Sequence, residues 1–393
     1  MMNYKENNMN QVIMIDNGKA VTIYQEKVED RLQQQVRNML RNPALRNATI
    51  ELMPDAHPGK FFPVGLYIEG NIKDGIIPSL IGNDAGCGTT LFEIEKPKRG
   101  FNFDTIDNII KEKIPTGRNN HKVPQEYDDI EQLDYLHANI DKDLATKALG
   151  TLGSGNHYIE IDKYNDRYFL IVHSGSRYLG NAILEHWLDV ALKDKDPNDN
   201  SYVYELGVLK NPRYIREYLH DILIAYQFAF QNRLRIANTI IKEAKLKRGE
   251  CFGNYTHNDI LNINDKYRLY KGAIRPTDSP IPSFPGLPAS ISLLGTNPAE
   301  GHILVDTTLS NAKALPHGSG RSLARSEVAN FHTVNEFKKD MQNIHCTTIC
   351  KDNLDECPKA YRSREYLINA IEGYELGKVL KTLEPVYVYK PME

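Results

Sequence analysis

The tightest constraint in this chain is Gly82-Asn83-Asp84-Ala85-Gly86-Cys87-Gly88, a turn with three glycines in seven positions. Glycine lets a backbone bend sharply and approach another group closely. An apolar run ends at Ile81 and an alternating one starts at Leu91, so ordered segments meet in a cramped corner. Inside it stand a carboxylate, Asp84, and a thiol, Cys87, three residues apart. Such a pair suits two metal ligands that lack imidazole partners. Taken by itself, the stretch reads more plainly as a glycine-rich turn with a buried cysteine.

The rest of the chain supplies the imidazoles. His157 follows the turn Gly150-Thr151-Leu152-Gly153-Ser154-Gly155-Asn156 and opens the strand-like Tyr158-Ile159-Glu160. His173 ends a strand pattern over 168–172 and precedes Ser174-Gly175-Ser176-Arg177. His257 and His317 also lie beside Asn, Gly or Ser. One such histidine is usually a core residue; four, with one thiol and one carboxylate, suit a site for one or two transition-metal ions. The Gly/Ser-rich turns at 150–155, 285–292 and 318–320 offer backbone amides to phosphate oxygens. A histidine not needed as a ligand can serve as a nucleophile. No glycine loop has Walker or dinucleotide spacing. The residues alone indicate a metal-dependent enzyme acting on phosphate.

Composition narrows the setting. The 393 residues carry 48 basic and 51 acidic side chains, a net charge of -3, with no polybasic run to announce nucleic acid. Five irregularly spaced cysteines (Cys87, Cys251, Cys346, Cys350, Cys357) argue for reduced thiols rather than a disulfide framework. The first residues lack the apolar core of a signal peptide, and no apolar run is long enough to cross a membrane. A soluble, cytoplasmic protein is expected.

The patterns predict an α+β fold, with mixed sheets and surrounding helices. Strands are expected over 11–25 around Asn17-Gly18, and a helix from about Glu26 to Leu40, stopped by Asn42-Pro43. A strand follows at Ile50–Met53. Pro54–Lys60, carrying Asp55 and His57, reads as a solvated loop. Residues 102–148 show helical patterns, and the longest helix runs from Pro212 to about Lys247 as scaffold. Residues 253–259 read as a loop, 271–301 as a long irregular segment, and Val386–Lys390 as a final strand.

Several segments stand together in one order: Met53-Pro-Asp-Ala-His-Pro-Gly-Lys60, Gly82–Gly88, Leu149–Glu160, His173–Arg177, His257-Asn258, Lys271-Gly272-Ala273, Pro285-Gly286, His317–Arg321, Asp355–Tyr361 and Lys390. In these the chain resembles the RtcB-type RNA ligases along nearly its whole length. The resemblance implies one catalytic domain over residues 1–393, with a metal site in a central cleft. It implies a GTP-using ligase with two Mn²⁺ ions, joining RNA 3′-phosphate or 2′,3′-cyclic phosphate ends to 5′-hydroxyl ends in RNA repair or tRNA splicing. An activating partner of the archease type is also possible within it.

Carried over residue by residue, His317 is the nucleophile that becomes guanylylated. Cys87 bridges two ions, with Asp84 and His157 on one and His173 and His257 on the other. Asn156, His157, Tyr158, Glu160, Asn258, Pro285, Gly286, Ser292, His317, Gly318, Ser319, Gly320 and Lys390 contact GTP. Asp55, His57, Arg177 and Arg321 orient ligands from behind or hold RNA phosphates. The chain departs from the family pattern at Leu287-Pro288-Ala289, Asp259, Tyr270 and Ala324, which marks a divergent branch. A metal-dependent phosphoesterase or nuclease would keep the ligands without needing His317 or Lys390. A non-catalytic RNA-binding protein would need none of them.

Overall fold

A computed structural model describes residues 12–16, 19–127, 129–193, 207–276 and 290–391. Its largest sheet has seven strands, in the order Ile291–Gly295, His302–Asp306, Lys378–Tyr389, Tyr158–Tyr164, Arg167–Ser174, Gly88–Ile94 and Arg248–Thr256. All its pairings are antiparallel. A second sheet has six strands, in the order Val12–Asp16, Lys19–Ile23, Thr49–His57, Val64–Asn71, Lys266–Lys271 and Asn258–Ile263. A two-stranded ladder pairs Ala273–Ile274 with Leu315–Pro316. Helices accompany both larger sheets, so the α+β expectation holds.

The helix Pro212–Glu243 starts where the sequence says it should: Pro212 occupies the first turn and the Asn211 side chain accepts from the Arg213 amide. Its buried stripe (Ile215, Tyr218, Ile222, Ala225, Ala229, Asn232, Ile236, Ile240) recurs every three or four residues. That stripe packs against the strand Arg167–Ser174 and the helix Arg177–Lys193. No described helix is long and apolar enough to cross a membrane.

Several expectations need correction. Pro54–His57 is not solvated loop: the strand Thr49–His57 runs through it and residues 50–56 are buried. Its register against Val64–Asn71 shifts between Leu52 and His57, an irregularity of the kind that re-aims side chains. His257 stands between the strands Arg248–Thr256 and Asn258–Ile263 rather than in a loop. Two strands, Ala273–Ile274 and Ile291–Gly295, lie within the segment read as irregular. The final strand starts at Lys378, and the first helix starts at Asp30. The turn Asn17-Gly18 and the pair Pro285-Gly286 lie outside the described residues.

Candidate active site

Four neighbouring strands of the large sheet explain why distant residues meet. His157 immediately precedes the strand Tyr158–Tyr164, and His173 lies at the end of Arg167–Ser174. Cys87 immediately precedes Gly88–Ile94, and His257 immediately follows Arg248–Thr256. Antiparallel neighbours put one strand's start beside the next strand's end, with about 4.8 Å between them. The register fits: His173 pairs with both Tyr158 and Thr89, and Gly88 pairs with Thr256. All four side chains therefore emerge at one edge of the sheet.

Their donor atoms converge. The Cys87 Sγ lies 3.4 Å from His157 Nε2 and 3.3 Å from His173 Nε2. His173 Nε2 is 3.3 Å from His257 Nε2, and His157 Nε2 is 3.0 Å from Asp84 Oδ2. The donors form two overlapping triads that share Cys87: Asp84, Cys87, His157 and Cys87, His173, His257. The other ring nitrogens face backbone carbonyls, His157 Nδ1 toward Leu152 O at 2.7 Å and His173 Nδ1 toward Asn156 O at 3.0 Å. A carbonyl only accepts, so Nδ1 carries the proton and Nε2 keeps its lone pair for a cation.

Electrostatics suits the same use. Burial lowers His173 and His257 well below the usual imidazole range and keeps them neutral. Burial and the neighbouring Asp84 raise the Cys87 thiol well above its ordinary value, so the thiolate requires a cation. Burial works against the Asp84 carboxylate, but its neighbours, His157 first and Arg177 after it, outweigh this and hold it well below the usual carboxylate range. A thiol, three imidazoles and a carboxylate form a donor set for transition metals.

His317 stands against this cluster, its ring centroid 5.1 Å from that of His257. Its Nδ1 lies 2.6 Å from Asp55 Oδ2, and the same oxygen accepts from the backbone amides of His317 and Gly318 at 3.0 and 3.3 Å. With the proton on Nδ1, Nε2 keeps its lone pair. Gly320, at φ +72, lets the backbone close over Asp55: a Cβ there would meet Asp55 O at 2.6 Å. Burial lowers His57 to about 4, and its Nδ1 lies 2.9 Å from Asp55 O. A cleft of about 840 Å³ opens over these groups, lined by His173, His257, His317, Asn156, Glu160 and Lys390 among others. That volume accommodates a nucleotide.

The remaining expected residues are placed as follows. Tyr158 packs on His173, with Lys390 Nζ 5.1 Å from its ring centroid. Lys390 Nζ donates to Glu356 Oε2 at 3.0 Å. Asn258 Nδ2 donates to Asp84 O at 3.3 Å and its Oδ1 accepts from Gly272 N, behind the Asp84 turn. Ser292 is fully buried with Oγ unpaired, and Ser319 Oγ donates to Thr296 O. Arg177 braces two loops through Thr151 Oγ1 and Gly117 O. Arg321 is engaged internally by Glu356, Tyr361 and the backbone of Leu323 and Asp355.

Sequence reasoning missed Asn232 and Arg233. Both lie fully buried on the Pro212–Glu243 helix. Arg233 donates to Gly86 O, Ser174 O, Thr90 Oγ1 and Asn254 Oδ1, at 2.9, 2.6, 2.8 and 2.6 Å. Asn232 Oδ1 accepts from the Gly150 and Thr151 amides, and Nδ2 donates to Gly175 O. One helical turn thus fixes three of the segments that carry candidate ligands. The available signal was two polar residues inside an apolar stripe.

A family model described as tRNA-splicing ligase RtcB matches residues 35–391. The chain belongs to this family. Among RtcB relatives, the RNA-splicing ligase RtcB2 of Escherichia coli is 27% identical over 369 residues, covering 86% of each chain. The RNA-splicing ligase RtcB of Escherichia coli strain K12 is 26% identical over 412 residues, covering 92% of this chain and 95% of that protein. The tRNA-splicing ligase RtcB of Nanoarchaeum equitans is 24% identical over 477 residues, covering 98% and 96%.

Proposed function

We propose that this chain is a GTP- and Mn²⁺-dependent RNA ligase, acting in the cytoplasm as one catalytic domain over residues 1–393. It joins RNA 3′-phosphate or 2′,3′-cyclic phosphate ends to 5′-hydroxyl ends. The observation that carries this reading is His317: a histidine with Nδ1 fixed by a buried carboxylate, standing beside a thiol-centred donor cluster in a nucleotide-sized cleft. Relatives named RNA-splicing and tRNA-splicing ligases support the same reading.

Asp84 and His157 would hold one ion and His173 and His257 the other, with Cys87 between them. Bound Mn²⁺ supplies charge neutralisation for the triphosphate and open positions for phosphate oxygens. His317 Nε2 attacks the α-phosphorus of GTP; the N–P bond forms as the bond to pyrophosphate breaks. Asp55 holds the Nδ1 proton throughout, so the ring stays in the tautomer that leaves Nε2 nucleophilic. An oxygen of the RNA 3′-phosphate then attacks that phosphorus, and the N–P electrons return to the imidazole. Finally the 5′-hydroxyl oxygen attacks the 3′-phosphorus, GMP leaves and the hydroxyl proton is lost. A 2′,3′-cyclic end must be opened by water to a 3′-phosphate before it can be activated. Asn156, Tyr158, Glu160, Asn258, Pro285, Gly286, Ser292, Gly318, Ser319, Gly320 and Lys390 are proposed to hold the nucleotide.

The test is to incubate one RNA ending in a 3′-phosphate and another starting with a 5′-hydroxyl with the protein, Mn²⁺ and GTP. A joined product that depends on GTP and the 3′-phosphate is expected. Cleavage or phosphate removal without joining would favour a phosphoesterase, for which the Asp55–His317 pair has no use.

A further inference from the structure

Glu160 lines the cleft that contains His317, yet it is almost sealed from solvent and its Oε2 has no hydrogen bond. Asp162, two residues along the same strand and on the same face, leaves Oδ1 unpaired as well. His302 stands between them, entering from the strand His302–Asp306 two places across the sheet. Its Nδ1 lies 2.8 Å from Asp162 Oδ2 and 3.6 Å from Glu160 Oε2, and its Nε2 is 2.7 Å from the Tyr158 hydroxyl. Lys390 is the other cation facing Glu160, and Glu384 lies beyond Asp162. A buried carboxylate oxygen without a donor is unfavourable. One that also borders an open cleft is completed by a ligand carrying N–H groups.

We infer that His302 is a positioning residue for nucleobase selection: held by Asp162 and Tyr158, it keeps the Glu160 carboxylate aimed into the cleft to accept from a purine edge that carries two N–H donors. The inference rests on the ligase reading and names what sets the base preference of that site. Guanine offers N1–H and N2–H side by side. Adenine turns the N1 lone pair toward the same place, where an ionised carboxylate can only accept.

Burial pushes Glu160 up to about 8, with Asp162 adding to the rise and the His302 and Lys390 charges opposing it. Below that range the empty site holds a proton that guanine must displace. Affinity for GTP relative to ATP therefore rises with pH and levels off once Glu160 is ionised in the empty site. Without the His302 cation, the rise moves to higher pH.

The experiment measures equilibrium binding of GTP and of ATP to the full chain with Mn²⁺ by calorimetry, from about pH 6 to about pH 9. Wild type, His302→Gln and Glu160→Gln are compared. The GTP-to-ATP ratio removes terms shared by the triphosphate and the metal. For His302→Gln, a midpoint about one pH unit higher and a ratio about tenfold lower at neutral pH are expected. Glu160→Gln should give a flat profile. An unmoved midpoint and ratio in folded His302→Gln would overturn the inference. Where that variant fails to fold, a wild-type profile in Glu160→Gln does the same. RNA joining is assayed in parallel: a wild type that does not join RNA ends overturns the ligase reading, whereas joining with an unmoved profile overturns only the role of His302.

Discussion

Asp55 Oδ2 accepts from the imidazole and the backbone amide of His317 and from the amide of Gly318, so one buried oxygen fixes both the ring and the turn that carries it. Replacing Asp55 by Asn keeps the volume but removes the anion that favours a proton on Nδ1. The tautomer with the proton on Nε2 then competes, and that nitrogen no longer has a lone pair to attack with. Nucleotide transfer to His317 should slow at least about a hundredfold, while far-ultraviolet circular dichroism stays native. A wild-type transfer rate would contradict the role given to Asp55.

Gly175 tests the proposed role of Asp84 as a ligand without replacing Asp84 itself. A Cβ at residue 175 would lie 1.9 Å from Asp84 Oδ1. The obstructed atom ends a short side chain, so Gly175→Ala should displace the carboxylate and leave the fold intact. Fewer bound Mn²⁺ equivalents, or affinity about 10- to 100-fold weaker, should appear in metal titrations. Unchanged stoichiometry and affinity would remove Asp84 from the ligand set.

Arg233 is fully buried, and its guanidinium is held by Gly86 O and Ser174 O on either side of the donor cluster. Arg233→Met keeps much of the apolar stem but strands those carbonyls without donors. Unfolding free energy from urea titration should fall by about 3 kcal/mol or more. A loss under about 0.5 kcal/mol would show that the helix does not brace these segments.

Acid should destabilise the metal-free protein. Burial lowers His173 and His257 well below their ordinary range and His57 to about 4. In the unfolded chain these groups take up protons near pH ~6.5. Below that pH the unfolded state binds more protons than the folded one, so stability is lost as pH falls. His302, which Asp162 raises against burial, and the carboxylates Glu160, Asp162 and Asp259, which burial raises, act in the opposite direction. Burial also lowers His121 and His186, and the five lowered histidines outnumber the raised groups, which predicts a lower urea midpoint at about pH 5.5 than at about pH 7.5 in chelator. A higher midpoint in acid would contradict this balance.

The sequence made the donor-bearing turns legible because glycine, histidine and cysteine have few interchangeable uses when they fall beside one another. The turn that carries Asp84 and Cys87 and the segments of His157, His173 and His257 lie far apart in the chain, and antiparallel register brings them to one edge of a sheet. No local pattern encodes that edge. Asp55 was misplaced in a loop because Pro54, Pro58 and Gly59 suggest a turn, whereas Val64 pairs with His57 and the Gln25 side chain donates to Pro54 O and Ala56 O, so the strand runs on through His57. Asn232 and Arg233 were absorbed into a helical scaffold because their bonds run to carbonyls and amides far along the chain. His302 opens an ordinary apolar strand, and only its pairing across the sheet sets it beside Asp162 and Glu160.

The most direct test incubates the purified protein with Mn²⁺ and α-³²P-labelled GTP, then resolves it by denaturing electrophoresis, beside His317→Ala. The account predicts an acid-labile, base-stable label on the wild type and none on the variant. Equal labelling of both proteins, or no label on the wild type with either GTP or ATP, would contradict nucleotidyl transfer through His317.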